Sequence, residues 1–308
     1  MLHITEEQVS EILTMPTAIE LVEETFRRLD NDRAENHPRR RVVMQNGTLL
    51  HYMAGGDNQD GVVGAKVYAT NRKVGARFIV LLFDANAIEL LAVVDANALG
   101  QIRTGAASGV ATRHLANPGA SKLALYGSGF QAETQLEAVA AVRSLESVAV
   151  YSRSAEKRES FASRMSEKLN IEICAVSSPD EALEGADIVI TVTSAREPVF
   201  RGELLAAGAH INAAGSNHAM RREVDATTIK RCDIGTADSI EQARMEAGDL
   251  IQAVDAGDFA WDRAIELSAV VGGSAPGRTD SNQVTLFESQ GLAVEDVAVA
   301  RYIYQQLQ

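Results

Sequence analysis

The chain has 308 residues, 46% of them apolar and 23% charged, with 42 acidic against 29 basic side chains and a net charge of −13. That length suits about two domains, each with its own core, and the composition is that of an ordinary globular protein. The acidic balance argues against a nucleic-acid surface, since the one basic run, Arg39-Arg40-Arg41, is too short to form one, and no segment reaches the length of a membrane span.

The N-terminus, Met1-Leu2-His3-Ile4, lacks a basic region and an apolar signal core. Cys174 and Cys232 lie far apart without a CxxC pairing and read as buried small hydrophobes, so a cytoplasmic location is expected. Thr5-Glu6-Glu7-Gln8 has the form of a capping box ahead of Val9, Ile12 and Leu13 at helical spacing. A second helix is predicted from Pro16, with Ile19, Val22, Phe26 and Leu29 on one face. After the arginines come short apolar segments at 47–54, 61–70, 77–84 and 88–95. Gly55-Gly56-Asp57-Asn58 and Asp84-Ala85-Asn86 give them the turns of antiparallel hairpins. A small-residue helix, 96–116, ends at the linker Asn117-Pro118-Gly119-Ala120.

Strands are then predicted near 121–126, 147–152, 171–176, 187–193, 209–214 and 232–236, with helical stretches between most of them. This alternation implies right-handed crossovers and a parallel sheet covered on both faces. Residues 242–270 read as helix in pieces, 272–277 as a loop and 284–287 as a last strand. An amphipathic helix closes the chain at 294–307, placed to return to the first domain. The expected architecture is α/β: a Rossmann-type doubly wound parallel sheet over 116–293, plus a discontinuous α+β substrate and dimerisation domain made of 1–115 and 294–308.

Within the second domain, Leu123-Ala-Leu-Tyr-Gly127-Ser128-Gly129-Phe130-Gln131-Ala132 is an apolar run that turns through Gly-x-Gly-x-x-Ala into a helix. The first glycine permits the tight turn, and the second lets a pyrophosphate approach the backbone. The small third residue packs helix on strand, and the helix N-terminus offers N–H groups to phosphate. A nicotinamide dinucleotide is the expected cofactor. The next strand ends Val150-Tyr151-Ser152-Arg153-Ser154, with no acid to accept from a ribose 2′-hydroxyl. Arg153 can instead bind a 2′-phosphate, flanked by the Ser152 and Ser154 hydroxyls, so NADP(H) is preferred and NAD(H) remains possible. Thr191 and Thr193 fall at the carboxyl edge where such sheets bind ligands. None of the six histidines forms an HxxxH or HExxH pair, and no metal site is expected.

Several further motifs occur in order: Gln101-Ile-Arg103-Thr104-Gly-Ala-Ala-Ser108, the Gly127 turn, Gly208-Ala-His210-Ile-Asn212-Ala-Ala214-Gly215, Glu223-Val-Asp225, Gly277-Arg278, and Thr285-Leu-Phe287-x-Ser289-x-Gly291-x-x-x-x-Asp296. Together they resemble the ornithine cyclodeaminase/mu-crystallin family along essentially the whole chain. The resemblance implies a homodimer with an active site between a dimerisation domain and a Rossmann domain, acting on amino or imino acids. It matches the family's arginine best to Arg41, with Arg39 and Arg40 open. It matches the lysine to Lys66 in Gly64-Ala65-Lys66, and the arginine of the Arg-Thr pair to Arg103. These three would hold the substrate carboxylate, and a desolvated lysine among arginines suits proton transfer. The resemblance further assigns Thr104, Gly127, Ser128, Gly129, Phe130, Gln131, Ala214, Gly215 and Ser289 to the cofactor, with the residues named above.

One departure bears on the chemistry. Where the family's cyclodeaminase and archaeal-type alanine dehydrogenase carry an aspartate, this chain reads Gly215-Ser216-Asn217, and an amide cannot take up a proton. The expectation is NAD(P)H-dependent reduction of a ketimine or small 2-imino acid at C2, with Lys66 as the catalytic group and Asn217 orienting the nitrogen. Ornithine cyclodeamination to proline and a non-catalytic NADP(H)-binding role stand as alternatives.

Overall fold

A computed structural model describes residues 1–308. The chain forms two compact units, Met1–Ala106 with Gly291–Gln308, and Ala107–Gln290.

The first unit contains β1 (Leu2–Ile4), α1 (Glu6–Ile12), α2 (Met15–Asp30), β2 (Ala34–Val43), β3 (Leu49–Asp57), β4 (Val62–Asn71), β5 (Gly75–Asp84), β6 (Leu90–Asp95) and the first half of α3 (Asn97–Leu115). Thr5 and Gln8 close the expected capping box, and Thr14 caps α2 one residue before its proline turn. The strands form one mixed sheet in the order β1-β6-β5-β4-β3-β2, antiparallel except where β1 runs parallel to β6. Two of these strands are not among the predicted segments. β1 is three residues long, and β2 carries the arginine run itself, with a bulge between His37 and Arg40.

In the second unit lie β7 (Lys122–Tyr126), α4 (Phe130–Val142), β8 (Ser147–Tyr151), α5 (Ala155–Leu169), β9 (Glu172–Ala175), α6 (Pro179–Leu183) and β10 (Ile188–Thr191). They are followed by β11 (His210–Ala213), α7 (Ala226–Arg231), β12 (Cys232–Ala237), α8 (Ile240–Glu246), α9 (Gly248–Asp255), β13 (Ala264–Glu266), α10 (Leu267–Gly272) and β14 (Val284–Glu288). All eight strands are parallel, in the order β13-β12-β14-β11-β10-β7-β8-β9. Alternate residues of β7 enter different cores: Leu123 and Leu125 pack with Val148 and Ile190, Ala124 and Tyr126 with Val189 and Ile211. A parallel sheet buried on both faces needs apolar residues at every position, which is how these short strands read. From β7 the chain builds outward to β8 and β9, then returns to β10 on the other side. The carboxyl edge between β7 and β10 is therefore a topological switch point. No helix is long and apolar enough to cross a membrane.

The last helix, α11 (Ala293–Gln306), belongs to the first unit and lies across its sheet. Glycines permit the close approach: a Cβ at Gly55 would stand 2.7 Å from the Val294 nitrogen, and one at Gly64 2.7 Å from the Val297 side chain. Cys232 is buried as expected, but Cys174 is exposed, because β9 is the edge strand of its sheet.

Candidate functional site

In the first unit the site is built around Lys66. The alternation of β4 buries Val62, Gly64, Lys66 and Tyr68 on the side covered by α11 and leaves Val63, Ala65 and Val67 on the other. Lys66 is only 4% exposed. Its Nζ donates to Asp296 Oδ1 at 2.7 Å, and Arg103 Nε donates to the same oxygen at 3.0 Å. Arg103 Nη1 also donates to Glu295 Oε2 at 3.0 Å. Room for the cations comes from two glycines. A Cβ at Gly100 would stand 2.8 Å from Lys66 Nζ, and one at Gly291 would press on the Arg103 guanidinium.

Burial, followed by the Arg103 charge, pushes the Lys66 ammonium down from 10.5 to about 8; Asp296 pulls the other way and Arg39 adds to the push. For Arg103 burial opposes the charge, yet Asp296 and Glu295 together outweigh it and keep the guanidinium protonated.

The arginine run divides by strand geometry. Arg39 is buried and its charge reaches Lys66, whereas Arg40, opposite Tyr52, and Arg41, opposite His51, are exposed. Arg41 Nε donates to His51 Nδ1 at 3.2 Å. The His51 ring stacks on Tyr68 at 4.3 Å, and burial with the Arg41 and Arg39 charges brings it down to about 4, so it is a neutral acceptor. The arginine that joins the Lys66 cluster is thus Arg39, while Arg41, the best match by resemblance, is tied to His51. Thr104 is half-buried and donates to the Gly100 carbonyl at 2.6 Å, a bond within α3.

In the second unit, Gly127 turns out of β7 with φ +119°, and a Cβ there would collide with the Val192 carbonyl. At Gly129 a Cβ would meet nothing within 4 Å, and Gly129 leaves α4 without a side-chain cap. A helix start with no side-chain cap and open space over the glycine suits a pyrophosphate. Both glycines and Ser128 line a cavity of about 840 Å³ with Ser152, Arg153, Ser154 and Lys157 on one side and the 192–199 segment on another. The residues present fit a dinucleotide. Ser128 and Ser152 hydroxyls lie 2.9 Å apart, and Ser154 caps α5 by accepting from Lys157 N. Phe130 is 52% exposed, and Gln131 is half-buried.

Other expected cofactor residues fall into different roles. Thr191 is fully buried and its hydroxyl donates to Glu223 at 3.1 Å; Thr193, which does line the cavity, donates its N–H and hydroxyl to the same carboxylate. Ala214 N donates to the Thr191 carbonyl and Gly215 N to Glu223. Ser289 is buried at the end of β14. Asn217 and His218 are exposed in the loop after β11, and His210 is a buried neutral histidine bonded to Thr285 and Asn212. No group of His, Cys, Asp and Glu is arranged to hold a metal.

Glu295, Asp296, Gly100, His51 and Glu223 are site residues to which no sequence reading gives a role, although Asp296 and Glu223 stand in the motifs that carry the family resemblance. A signal did exist for two of them: Glu295 and Asp296 follow Ala293-Val294 at the start of an otherwise apolar helix face. Acids in a first turn are ordinarily explained by the helix dipole alone.

The ornithine cyclodeaminase/mu-crystallin family profile matches residues 1–308. The chain belongs to this family. A Δ1-pyrroline-2-carboxylate reductase from Bacillus cereus is 40% identical over 249 residues, covering 80% of this chain and 76% of that one. Among family structures, that of Thermococcus litoralis Δ1-pyrroline-2-carboxylate reductase with NADH and L-proline superposes with a TM-score of 0.95 at 34% identity, covering 99% and 97% of the two chains. An archaeal alanine dehydrogenase dimer with bound NAD gives 0.92 at 29% identity over 99% and 95%.

Proposed function

We propose that the protein is an NAD(P)H-dependent imino-acid reductase acting at C2 of a cyclic ketimine such as Δ1-pyrroline-2-carboxylate, or of a small 2-imino acid formed from a 2-oxo acid and ammonia. The observation that carries this reading is Lys66, an amine buried between Asp296 and the Arg103 charge and brought to about 8. Such a group is still largely protonated at neutral pH, yet it yields a proton far more readily than an ordinary lysine. A reduced nicotinamide dinucleotide, when bound, supplies the hydride that C2 receives. Arg103 and Arg39 fix the substrate carboxylate, and Lys66 shares that contact or protonates the nitrogen, so that C=N becomes CH–NH. Asn217 orients the nitrogen. Its amide cannot act as a base, which favours plain reduction over the oxidation, ring closure and re-reduction of cyclodeamination.

Arg153 and Ser152, with no acid at the end of β8, support a preference for NADP(H). A homodimer is part of the same reading. The sheet face opposite Lys66 presents Leu50, Tyr52 and Val63, each at least 40% exposed, and the alanine dehydrogenase relative is a dimer.

The test is oxidation of NADPH, followed by absorbance, with Δ1-pyrroline-2-carboxylate, and NADH run in parallel. Rapid oxidation is expected, faster with NADPH. No oxidation of either, together with ammonia release from ornithine and no net reduction of NAD, would replace the proposal with cyclodeamination.

A further inference from the structure

We infer that Glu223 is a positioning residue for the dinucleotide: its side chain and backbone together hold the 193–199 segment that walls the cofactor cavity. The inference rests on the dinucleotide site proposed above. Glu223 follows β11, is fully buried, and does not itself line the cavity. Its Oε1 accepts from the Thr193 N–H and the Thr193 hydroxyl, both at 2.6 Å, while Oε2 accepts from the Gly215 N–H at 2.8 Å and the Thr191 hydroxyl at 3.1 Å. The Glu223 carbonyl accepts from Val199 N at 2.8 Å. One residue therefore pins both ends of the segment and ties it to the loop after β11.

The physical need is clear from the strand ends. Past the last ladder bonds of β10 and β11, the N–H groups of Thr193 and Gly215 have no strand partner, and part-buried donors need an acceptor. A carboxylate with two oxygens meets both. Gly215 is required beside it, since a Cβ there would collide with the carboxylate. Glu223 is in turn held by Asp249 at the start of α9, whose Oδ1 accepts from the N–H groups of Glu223 and Val224 at 2.7 and 2.8 Å. Burial raises Glu223 to about 7 although the Thr193 and Gly215 donors pull it down, so an ionisable side chain is kept here at a cost that a packing role alone does not require.

The experiment measures NADH and NADPH Kd by fluorescence titration, alongside the KM for Δ1-pyrroline-2-carboxylate at saturating dinucleotide. In Glu223→Gln the amide NH2 faces the Gly215 or Thr193 N–H, so the wall is released at one end. Kd is expected to rise about tenfold or more, with the imino-acid KM within about twofold. Thr191→Val removes one donor from Glu223 without touching the cavity surface and is expected to raise Kd about threefold. A folded Glu223→Gln protein with unaltered Kd overturns the inference, as does an equal rise in Kd and imino-acid KM. If Glu223→Gln does not fold, an unaltered Kd in Thr191→Val overturns it. Failure of the unaltered protein to bind either dinucleotide removes the cofactor reading itself and this inference with it, a distinct result.

Discussion

Replacing Asp296 by Asn removes a charge from the Lys66 cluster while keeping its shape. Asp296 Oδ1 takes both hydrogen bonds, from Lys66 and Arg103, and Oδ2 is buried without a hydrogen bond. An asparagine can keep its oxygen on the two cations and place its NH2 where Oδ2 stood. Arg103 retains Glu295. What changes is the electrostatic support of the Lys66 ammonium, which burial, Arg103 and Arg39 already push down to about 8. An opposite charge in contact moves a pKa by about one to three pH units, so the variant lysine should titrate between about 5 and about 7. At pH 7.5 the protonated fraction then drops from about three quarters to about one quarter or less, and kcat/KM falls at least about threefold. The assay is kcat/KM for Δ1-pyrroline-2-carboxylate across pH at saturating dinucleotide. The alkaline limb of Asp296→Asn should lie at lower pH, and the loss should shrink as pH is lowered. An alkaline limb that overlays the unaltered protein's, or a loss equal at every pH, refutes the role given to Asp296 and Lys66.

Lys66→Ala should lower kcat by about a hundredfold or more while dinucleotide Kd, read by fluorescence, stays within about twofold; retained turnover removes Lys66 from the mechanism. Arg153→Ala should raise the KM for NADPH by about tenfold or more and leave that for NADH nearly unchanged, whereas equal rises would place Arg153 against the adenine ring instead. Tyr52→Glu, which puts a charge on the open sheet face, should convert a dimer into monomers in sedimentation velocity without changing the far-UV spectrum. Three buried acids each contribute a loss of stability as pH rises. Burial raises Glu223 from 4.5 to about 7 and raises Asp249 and Glu288 as well, so the folded state holds more protons than the unfolded chain in that window. Glu223's share is complete below about 4.5 and gone above about 7, while the lowered His51 and His210 act in the opposite sense, so the change in Tm of the dinucleotide-free protein from pH 5.5 to pH 8 should be shifted towards less loss in Glu223→Gln than in the unaltered protein.

Local patterns made much of this fold legible. β7 to β11 announce themselves as apolar runs ending at small or polar residues, and Thr5 and Gln8 mark a helix start by their own hydrogen bonds. What escaped depends on partners distant in sequence. β2 reads as a charged stretch because Arg40 and Arg41 are exposed at the sheet edge, and only its pairing with β3 makes it a strand. β1 is three residues that take their conformation from β6. A strand containing Lys66 is equally consistent with a solvent-facing lysine. It is α11, 230 residues away in the chain, that buries the amine and supplies its counter-ion. Glu223 likewise lies 30 residues from Thr193, in a stretch with no regular structure, and its role follows from where two strand ends stop.

Charge sorts the two ligands although the chain as a whole is strongly acidic. In the second unit Glu223, Asp249 and Glu288 are buried, held by N–H donors or raised towards neutrality by burial and by one another, so their charge is kept from the surface. The cavity of that unit meets solvent with Arg153, Lys157 and Arg196 against Glu197, a balance suited to phosphates. In the first unit the arrangement is reversed: Asp296 and Glu295 lie beneath, Lys66 and Arg103 are the cations they support, and the Arg39 charge reaches Lys66. A neutral His51 adds no charge to that cluster. On the reading proposed above, the amide at position 217 has no charge for the second ammonium of a diamino acid such as ornithine and cannot take up its proton, which argues against the cyclodeaminase reaction.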